Sequence, residues 1–128
     1  MMRASEAHRR GLNPRLRLRG AAVSGIEPEI MGFAPAIGIP ALLRKCDVSL
    51  DEIDAIELNE AFAAQSIAVI RELALDEDRV NVHGGAIALG HPLGATGAIL
   101  VVKLMNALRL LDGRLGTVSL CIGGGQAL

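Results

Sequence analysis

Aromatic residues are almost absent from this 128-residue chain, which has Phe33 and Phe62 but no tryptophan or tyrosine. The scarcity of aromatic side chains therefore argues against a nucleic-acid surface built on base stacking, and a formal net charge of -1 argues against a general phosphate-binding surface. We expect no nucleic-acid partner. The hydrophobic share of 51% must come from small and branched aliphatic side chains, which suits helices packed tightly on a sheet.

Cysteine is scarce, since the chain has only Cys46 and Cys121. Two cysteines do not form a disulfide framework, and their scarcity predicts a reducing, cytoplasmic setting. Long hydrophobic runs are absent as well. The longest run, from Leu93 to Val102, ends at Lys103 and is too short to span a bilayer, so we expect no membrane association.

Clusters of metal-binding residues are also missing. His8 and His83 have no second histidine at ligand spacing, and neither cysteine is paired as a zinc site requires. The sequence therefore predicts no metal site.

The hydrophobic pattern predicts strands that alternate with helices, which is typical of a layered α/β fold. Ser49 followed by Glu52 is a helix-start signal. The predicted helices are Ser5–Arg10, Ala34–Cys46 with its first turn near Pro40, Asn59 to about Leu75, and Gly97–Leu111; the predicted strands are Arg15–Ser24, Ile53–Leu58 and Gly116–Cys121.

The segment Gly97–Leu111 is the most informative of these helices. Its polar residues Lys103, Asn106 and Arg109 recur every three positions and form one narrow stripe, while the other positions from Ala98 on are apolar. A helix that meets water along a single stripe is covered on its other sides. The pattern therefore predicts a helix sandwiched between other elements.

The glycine-rich segment from Asn81 to Gly97 is apolar, unlike an ordinary surface linker. His91 precedes Pro92, which disfavours a helical backbone at His91, and a helix begins just afterwards. An imidazole at this place is suited to hold or deprotonate a nucleophile. The alternative is a structural histidine bonded within a tight loop. The glycine spacing matches neither a dinucleotide fingerprint nor a P-loop.

Cys121 stands at the end of a strand-like run and is followed by Gly123-Gly-Gly125. Backbone N–H groups of such glycines can converge on a thioester oxyanion, although a lone cysteine is also a common core residue. Cys46 has no such glycine neighbours and is interpreted as structural. Asn59 lies where a strand becomes a helix, and it is either an N-cap or the holder of a catalytic water.

Three segments together resemble the C-terminal motifs of thiolases, in the same order. A fourth, Ile30-Met-Gly32, resembles the loop that opens the C-terminal half of that family, and the likeness runs from about Ser5 to Gln126. The three segments are Asn59-Glu-Ala-Phe62, Gly84-Gly-Ala-Ile-Ala-Leu-Gly-His-Pro92 and Cys121-Ile-Gly-Gly-Gly125.

The resemblance implies the C-terminal half of the thiolase fold, a mixed sheet with helices packed on both faces. Residues 1–14 would then be a remnant of the inter-domain region, and residues 15–128 the C-terminal domain without its final strand. His83 stands where many thiolases have asparagine, and Ala127 where they usually have glycine. Neither departure falls on a catalytic match.

The resemblance also implies the chemistry. Thiolases cleave a 3-ketoacyl-CoA with coenzyme A or condense two acyl-CoAs, so the substrates would be coenzyme A thioesters, with no permanently bound cofactor. His91 matches the histidine that activates the nucleophile, and Cys121 matches the cysteine that moves a proton to or from the α-carbon. Asn59 matches the asparagine that positions a water in one oxyanion hole, Gly123 a donor of the other, and Met31 and Phe62 are candidates for the substrate pocket.

The nucleophilic cysteine of thiolases belongs to their N-terminal half, to which no segment here corresponds, and Cys46 is not its counterpart. One hypothesis is therefore a half-domain that is catalytic only when a thiolase N-terminal half is supplied, by a separate chain or by upstream sequence. The expected protein partner is a second copy in a homo-oligomer or such an N-terminal half. The other is a truncated, non-catalytic remnant or association module. On either hypothesis we expect no thiolysis by these residues alone, and self-association through the exposed side of the helix Gly97–Leu111.

Overall fold

Two small sheets and five α-helices make up the computed structural model, which describes all 128 residues. Three short 3₁₀ helices, Pro28–Phe33, Leu50–Glu52 and Glu77–Arg79, connect them. The helices are α1 (Ala4–Arg9), α2 (Pro35–Cys46), α3 (Ala63–Glu72), α4 (Ala86–Leu89) and α5 (Thr96–Leu110); the strands are β1 (Ser24–Gly25), β2 (Ala55–Leu58), β3 (Gly116–Ser119), β4 (Cys121–Gly123) and β5 (Gln126–Ala127).

The parallel pair of β2 and β3 is the centre of the fold, and every residue of β2 is buried. Successive side chains of a strand point to opposite faces. Ile56 and Leu58 face one side and join a cluster with residues of α2 and α3, including Ile39 and Val69. Ala55 faces the other side and packs against α5. Helices therefore cover both faces of this pair.

The second sheet is antiparallel, with the strand order β1-β5-β4. It follows the first sheet directly along the chain, because β4 begins only two residues after Ser119, the last residue of β3. Leu120 bridges the gap, since it exchanges backbone hydrogen bonds of 2.9 and 3.0 Å with Leu128. Parallel and antiparallel strands with helices on both faces confirm the predicted layered α/β fold. No helix is long and apolar enough to cross a membrane.

Two predicted elements differ from the structure near the N-terminus. The predicted strand Arg15–Ser24 was wrong over most of its length, because only Ser24 and Gly25 form a strand, on β5. The alternating segment before them makes no strand ladder, and Leu18 is 73% exposed. Alternation alone does not make a strand when no neighbouring strand takes up its N–H and C=O groups.

Helix α2 begins at Pro35, not near Pro40 as predicted. A proline suits the first helical position, where its missing N–H costs no hydrogen bond. Pro40 then lies inside the helix and removes one internal bond. The pairing predicted between Ser49 and Glu52 is present: the Glu52 carboxylate accepts the Ser49 backbone N–H at 2.8 Å, at the start of a 3₁₀ helix.

Helix α5 has nearly the predicted bounds, but its predicted wet stripe is only partly confirmed. Arg109 is exposed, whereas the Lys103 side chain is only 12% exposed and turns towards the sheet. Apolar residues share the exposed side with Arg109, since Val102 and Leu110 are 53% and 67% exposed and have no cover within these residues. Self-association through this side stays a prediction.

Lys103 turns inward because a carboxylate is buried beneath it. Its Nζ lies 2.7 Å from Oε2 of Glu57, a fully buried side chain of β2, and it also donates to the carbonyl oxygen of Gly84. Burial raises the pKa of Glu57, and the charge of Lys103 opposes that rise. The pair therefore ties α5 and the chain at Gly84 to the central strand.

The sign of the pH dependence follows from the raised pKa of Glu57. The folded chain keeps the Glu57 proton at pH values where the unfolded chain has released it. The contribution of this carboxyl to the free energy of unfolding is therefore complete below the unfolded pKa. The contribution is lost as pH rises through the folded pKa. Removing Lys103 raises the folded pKa further, so the loss becomes larger.

We therefore predict that Lys103→Met lowers the free energy of unfolding at about pH 8 by about 3–5 kcal/mol, the cost of an unpaired buried charge. At about pH 4.5 the cost is much smaller, because Glu57 takes up a proton. Urea unfolding at both pH values measures the difference. Arg109→Met, on an exposed position of the same helix, is the control and has the same small effect at both. Equal losses for Lys103→Met at both pH values would contradict the prediction.

Candidate active site

Asn59 follows the last residue of β2 and is 1% exposed. Its backbone N–H donates to the carbonyl oxygen of Ser119 at 2.9 Å, which extends the β2–β3 pairing by one bond. The N-cap interpretation was wrong, since α3 begins at Ala63 and its N-cap residue is Phe62. The side chain instead points to the glycine-rich segment Gly84–Gly97, the histidine loop, where Nδ2 lies 3.4 Å from Nε2 of His91.

The ring of His91 is fixed by a short chain of hydrogen bonds. The hydroxyl of Thr96, in the first turn of α5, donates to the carbonyl oxygen of Pro92 at 3.0 Å. Having given its one proton there, the hydroxyl accepts from Nδ1 of His91 at 2.7 Å. Nδ1 therefore carries the hydrogen of the neutral ring, and the basic lone pair is on Nε2, facing Asn59.

Cys121 lies at the same edge of the sheet as Asn59. Leu58 pairs with Ser119 in the parallel ladder, so Asn59 and Cys121 both follow the carboxyl ends of neighbouring strands. The thiol is buried, and desolvation raises its pKa. Cys121 thus keeps its proton near neutral pH and is suited to donate it. Ligands of α/β sheets commonly bind at such strand ends.

The glycines after Cys121 form the turn between β4 and β5. Gly124 and Gly125 have φ values of 60° and 86°, the left-handed backbone that a tight hairpin of this kind requires. A side chain at Gly125 would overlap the carbonyl oxygen of Ile26, whose own N–H donates to Gly125 at 2.7 Å. Gly123, the predicted oxyanion donor, ends β4 next to this turn.

The two pocket candidates lie on neighbouring segments. Met31 is half-buried on the 3₁₀ helix Pro28–Phe33, which packs against β4 and α3. Phe62 is 60% exposed at the start of α3. Cys46 lies away from this edge, at the end of α2, in line with its structural interpretation.

Sequence reasoning missed two residues that hold this site. Thr96 fixes the imidazole of His91, and Glu60 bonds to the histidine loop. A signal for Thr96 was present, because it is the single hydroxyl side chain in the apolar stretch after His91. Glu60 gave none beyond its place beside Asn59.

A family model described as the thiolase C-terminal domain matches residues 12–128. The 3-ketoacyl-CoA thiolase of Bacillus subtilis (strain 168) is 48% identical over 98% of this chain, which covers 32% of that protein. The chain thus spans about a third of the length of the curated relatives it matches.

Solved structures agree with this match. The Bacillus anthracis acetyl-CoA acetyltransferase aligns with a TM-score of 0.94 and 46% identity, over 98% of this chain and 32% of that one. The human mitochondrial 3-ketoacyl-CoA thiolase gives a TM-score of 0.93 and 44% identity, over 97% and 31% of the respective chains.

The hydrogen bonds of Thr96 predict the effect of removing its hydroxyl. In Thr96→Val, Nδ1 of His91 loses its acceptor, so the neutral ring populates both tautomers instead of one. The imidazole nitrogen chemical shifts measure this directly. We also expect a loss of about 1–2 kcal/mol in the free energy of unfolding, because Nδ1 of His91 is left without its acceptor. The Pro92 carbonyl oxygen keeps the backbone N–H donors of Ala95 and Thr96. Thr96→Ser keeps both bonds and is the control; an unchanged tautomer in Thr96→Val would contradict the assignment.

Proposed function

This chain belongs to the thiolase family, and from that premise we propose that it supplies the base-bearing and proton-donating side of an acyl-CoA acyltransferase active site. The observation that carries the proposal is the contact of Asn59 with His91 at the strand edge where Cys121 also lies. The substrates are coenzyme A thioesters, and the reaction is thiolysis of a 3-ketoacyl-CoA or its reversal, a Claisen condensation.

His91 acts as the base for a nucleophilic cysteine thiol on the N-terminal part of a thiolase. Its lone pair on Nε2, which faces the Asn59 amide at 3.4 Å, takes the thiol proton, and the bond from Nδ1 to Thr96 holds the ring in this tautomer. The thiolate then attacks the 3-keto carbon. A thiolate is the reactive form of cysteine, so a base within reach raises its reactivity at neutral pH.

Cys121 provides the proton that completes carbon–carbon cleavage. As the bond between the α- and β-carbons breaks, its electron pair stays on the α-carbon, and the Cys121 thiol donates its proton there. The raised pKa of the buried thiol favours this role, because the proton is present before the bond breaks. In the condensation direction the Cys121 thiolate takes the α-proton instead.

Two oxyanions form during the reaction, and two donor sets stabilise them. The first consists of His91 and a water held by Asn59; the Oδ1 atom of Asn59 is buried without a donor and so can accept a bond from such a water. The second includes the backbone N–H of Gly123, beside the turn at Gly124 and Gly125. Donors aimed at developing negative charge lower the barrier.

The partner that completes this site is a thiolase N-terminal half, which carries the nucleophile. A homo-oligomer is the other expected assembly. The exposed apolar side of α5 supports such a partner, since it includes Ile99, Val101 and Val102 and lies on the helix that begins at Thr96. Met31 and Phe62 then border the acyl group. The same apolar side also favours the second candidate, an association module that pairs with thiolase-like subunits without turnover.

A fusion experiment separates the two candidates. The segment of the Bacillus subtilis thiolase that precedes its matched region is joined to this chain, and coenzyme A-dependent cleavage of acetoacetyl-CoA is measured. We expect turnover by the fusion and none by the 128-residue chain alone. Cys121→Ser in the fusion lowers kcat by on the order of 10²–10⁴-fold, the usual contribution of a placed proton donor.

The matched control for that variant is Cys46→Ser, which removes the other cysteine and leaves turnover unchanged. A folded fusion without activity favours the association module. Equal losses for Cys46→Ser and Cys121→Ser contradict the role of Cys121.

A further inference from the structure

Glu60 is the one charged side chain that joins the asparagine segment to the histidine loop. Its Oε2 accepts the backbone N–H of Ile87 at 2.9 Å, in the first turn of α4. Its Oε1 accepts from Nδ2 of Asn81 at 3.3 Å. The first N–H groups of a helix have no partner within it, so a carboxylate at this position stabilises the start of α4.

Asn81 fixes the other side of the same carboxylate. Its side chain accepts the Leu58 backbone N–H at 3.0 Å and donates to the Leu58 carbonyl oxygen at 2.8 Å. The amide thus continues the sheet at the edge of β2 as a neighbouring strand would. Glu60 is held against a rigid strand end through this bond.

The glycine at position 85 leaves room for this contact. Gly85 is buried, and a Cβ there would overlap the Glu60 carboxylate. The segment that follows is exposed from Ile87 to Gly90 and runs directly to His91. The exposed side chains of this segment do not hold it in place by packing. The hydrogen bond from the Ile87 N–H to Glu60 is what connects it to the sheet.

We propose that Glu60 is a positioning residue, which sets the His91 imidazole at its distance from the Asn59 amide. Asn59 is held to the end of β3 through its backbone N–H, and Glu60 is held to the end of β2 through Asn81, so the amide and the carboxylate are both fixed at the same strand ends. By holding Ile87, Glu60 fixes the start of the loop that ends at His91. Glu60 has no bond to the imidazole and acts through the backbone. This inference rests on the proposed function in one respect, namely that the separation of His91 and Asn59 matters for the proposed reaction.

The test uses the 128-residue chain and needs no turnover. Glu60→Asp keeps the charge but shortens the side chain by about 1.5 Å, so it falls short of Ile87. We expect the Ile87 amide to exchange with solvent about tenfold faster, as loss of one charge-assisted bond implies. We also expect the nuclear Overhauser effect between the Asn59 side-chain amide and the His91 ring to weaken, because their 3.4 Å contact lengthens, while the tautomer set by Thr96 stays the same. Glu60→Gln keeps the length and an acceptor oxygen for Ile87, so it retains this contact.

The control is Glu72→Asp, the same change on an exposed residue of α3, and it leaves both measurements unchanged. The proposal is overturned if Glu60→Asp lowers the melting temperature but leaves the contact between the Asn59 amide and the His91 ring as it was, because that is a structural role alone. It is also overturned if Glu60→Gln loses this contact as Glu60→Asp does. Neither result bears on the fusion assay, so failure here and failure of the proposed function are distinguishable.

Discussion

The parallel pairing of β2 with β3 is the constraint on which the candidate site depends. It sets Leu58 opposite Ser119 and so brings the ends of two strands, far apart in sequence, to one edge. The backbone bond from Asn59 to Ser119 extends this register past the last strand residue. Because a one-residue slip would turn each side chain of β2 to the other face, burial of Leu58 and the placement of Asn59 are fixed together.

The sequence predicted those features of the site that depend on residues close together in the chain. The run from Ile53 to Leu58 reads as a buried strand because apolar residues dominate it, and the apolar helix after Gly97 has nearly its predicted bounds. Gly123-Gly-Gly125 indicated an unusual backbone beside Cys121, and the structure shows it as a tight turn with φ values that only glycine adopts freely. His91, Asn59 and Cys121 were singled out by neighbours that are unusual for a core.

What pattern did not predict depends on contacts between distant segments. Asn59 precedes α3 and carries a typical capping side chain, yet its amide turns to a histidine that lies far along the chain. Lys103 occupies a polar stripe that suggested solvent, but the carboxylate buried on β2 draws it inward. The strand predicted from Arg15 failed for the converse reason, since its alternation had no neighbouring strand to pair with.

A glycine-rich loop can place a base accurately only if its ends and its middle are tied to rigid elements. At the start, the Gly84 carbonyl accepts from Lys103, whose position is fixed by the buried Glu57. At the end, Thr96 holds the ring from the first turn of α5. Both ties come from the same helix, and that helix packs on the strand that presents Asn59. The ends of the loop are therefore held by one strand–helix layer, and the bond from Glu60 to Ile87 holds its middle to the same strand end. Together the three bonds fix the separation of the imidazole and the amide. The glycines permit the close approach of loop to sheet, and the polar bonds at its ends supply the precision that glycine itself cannot.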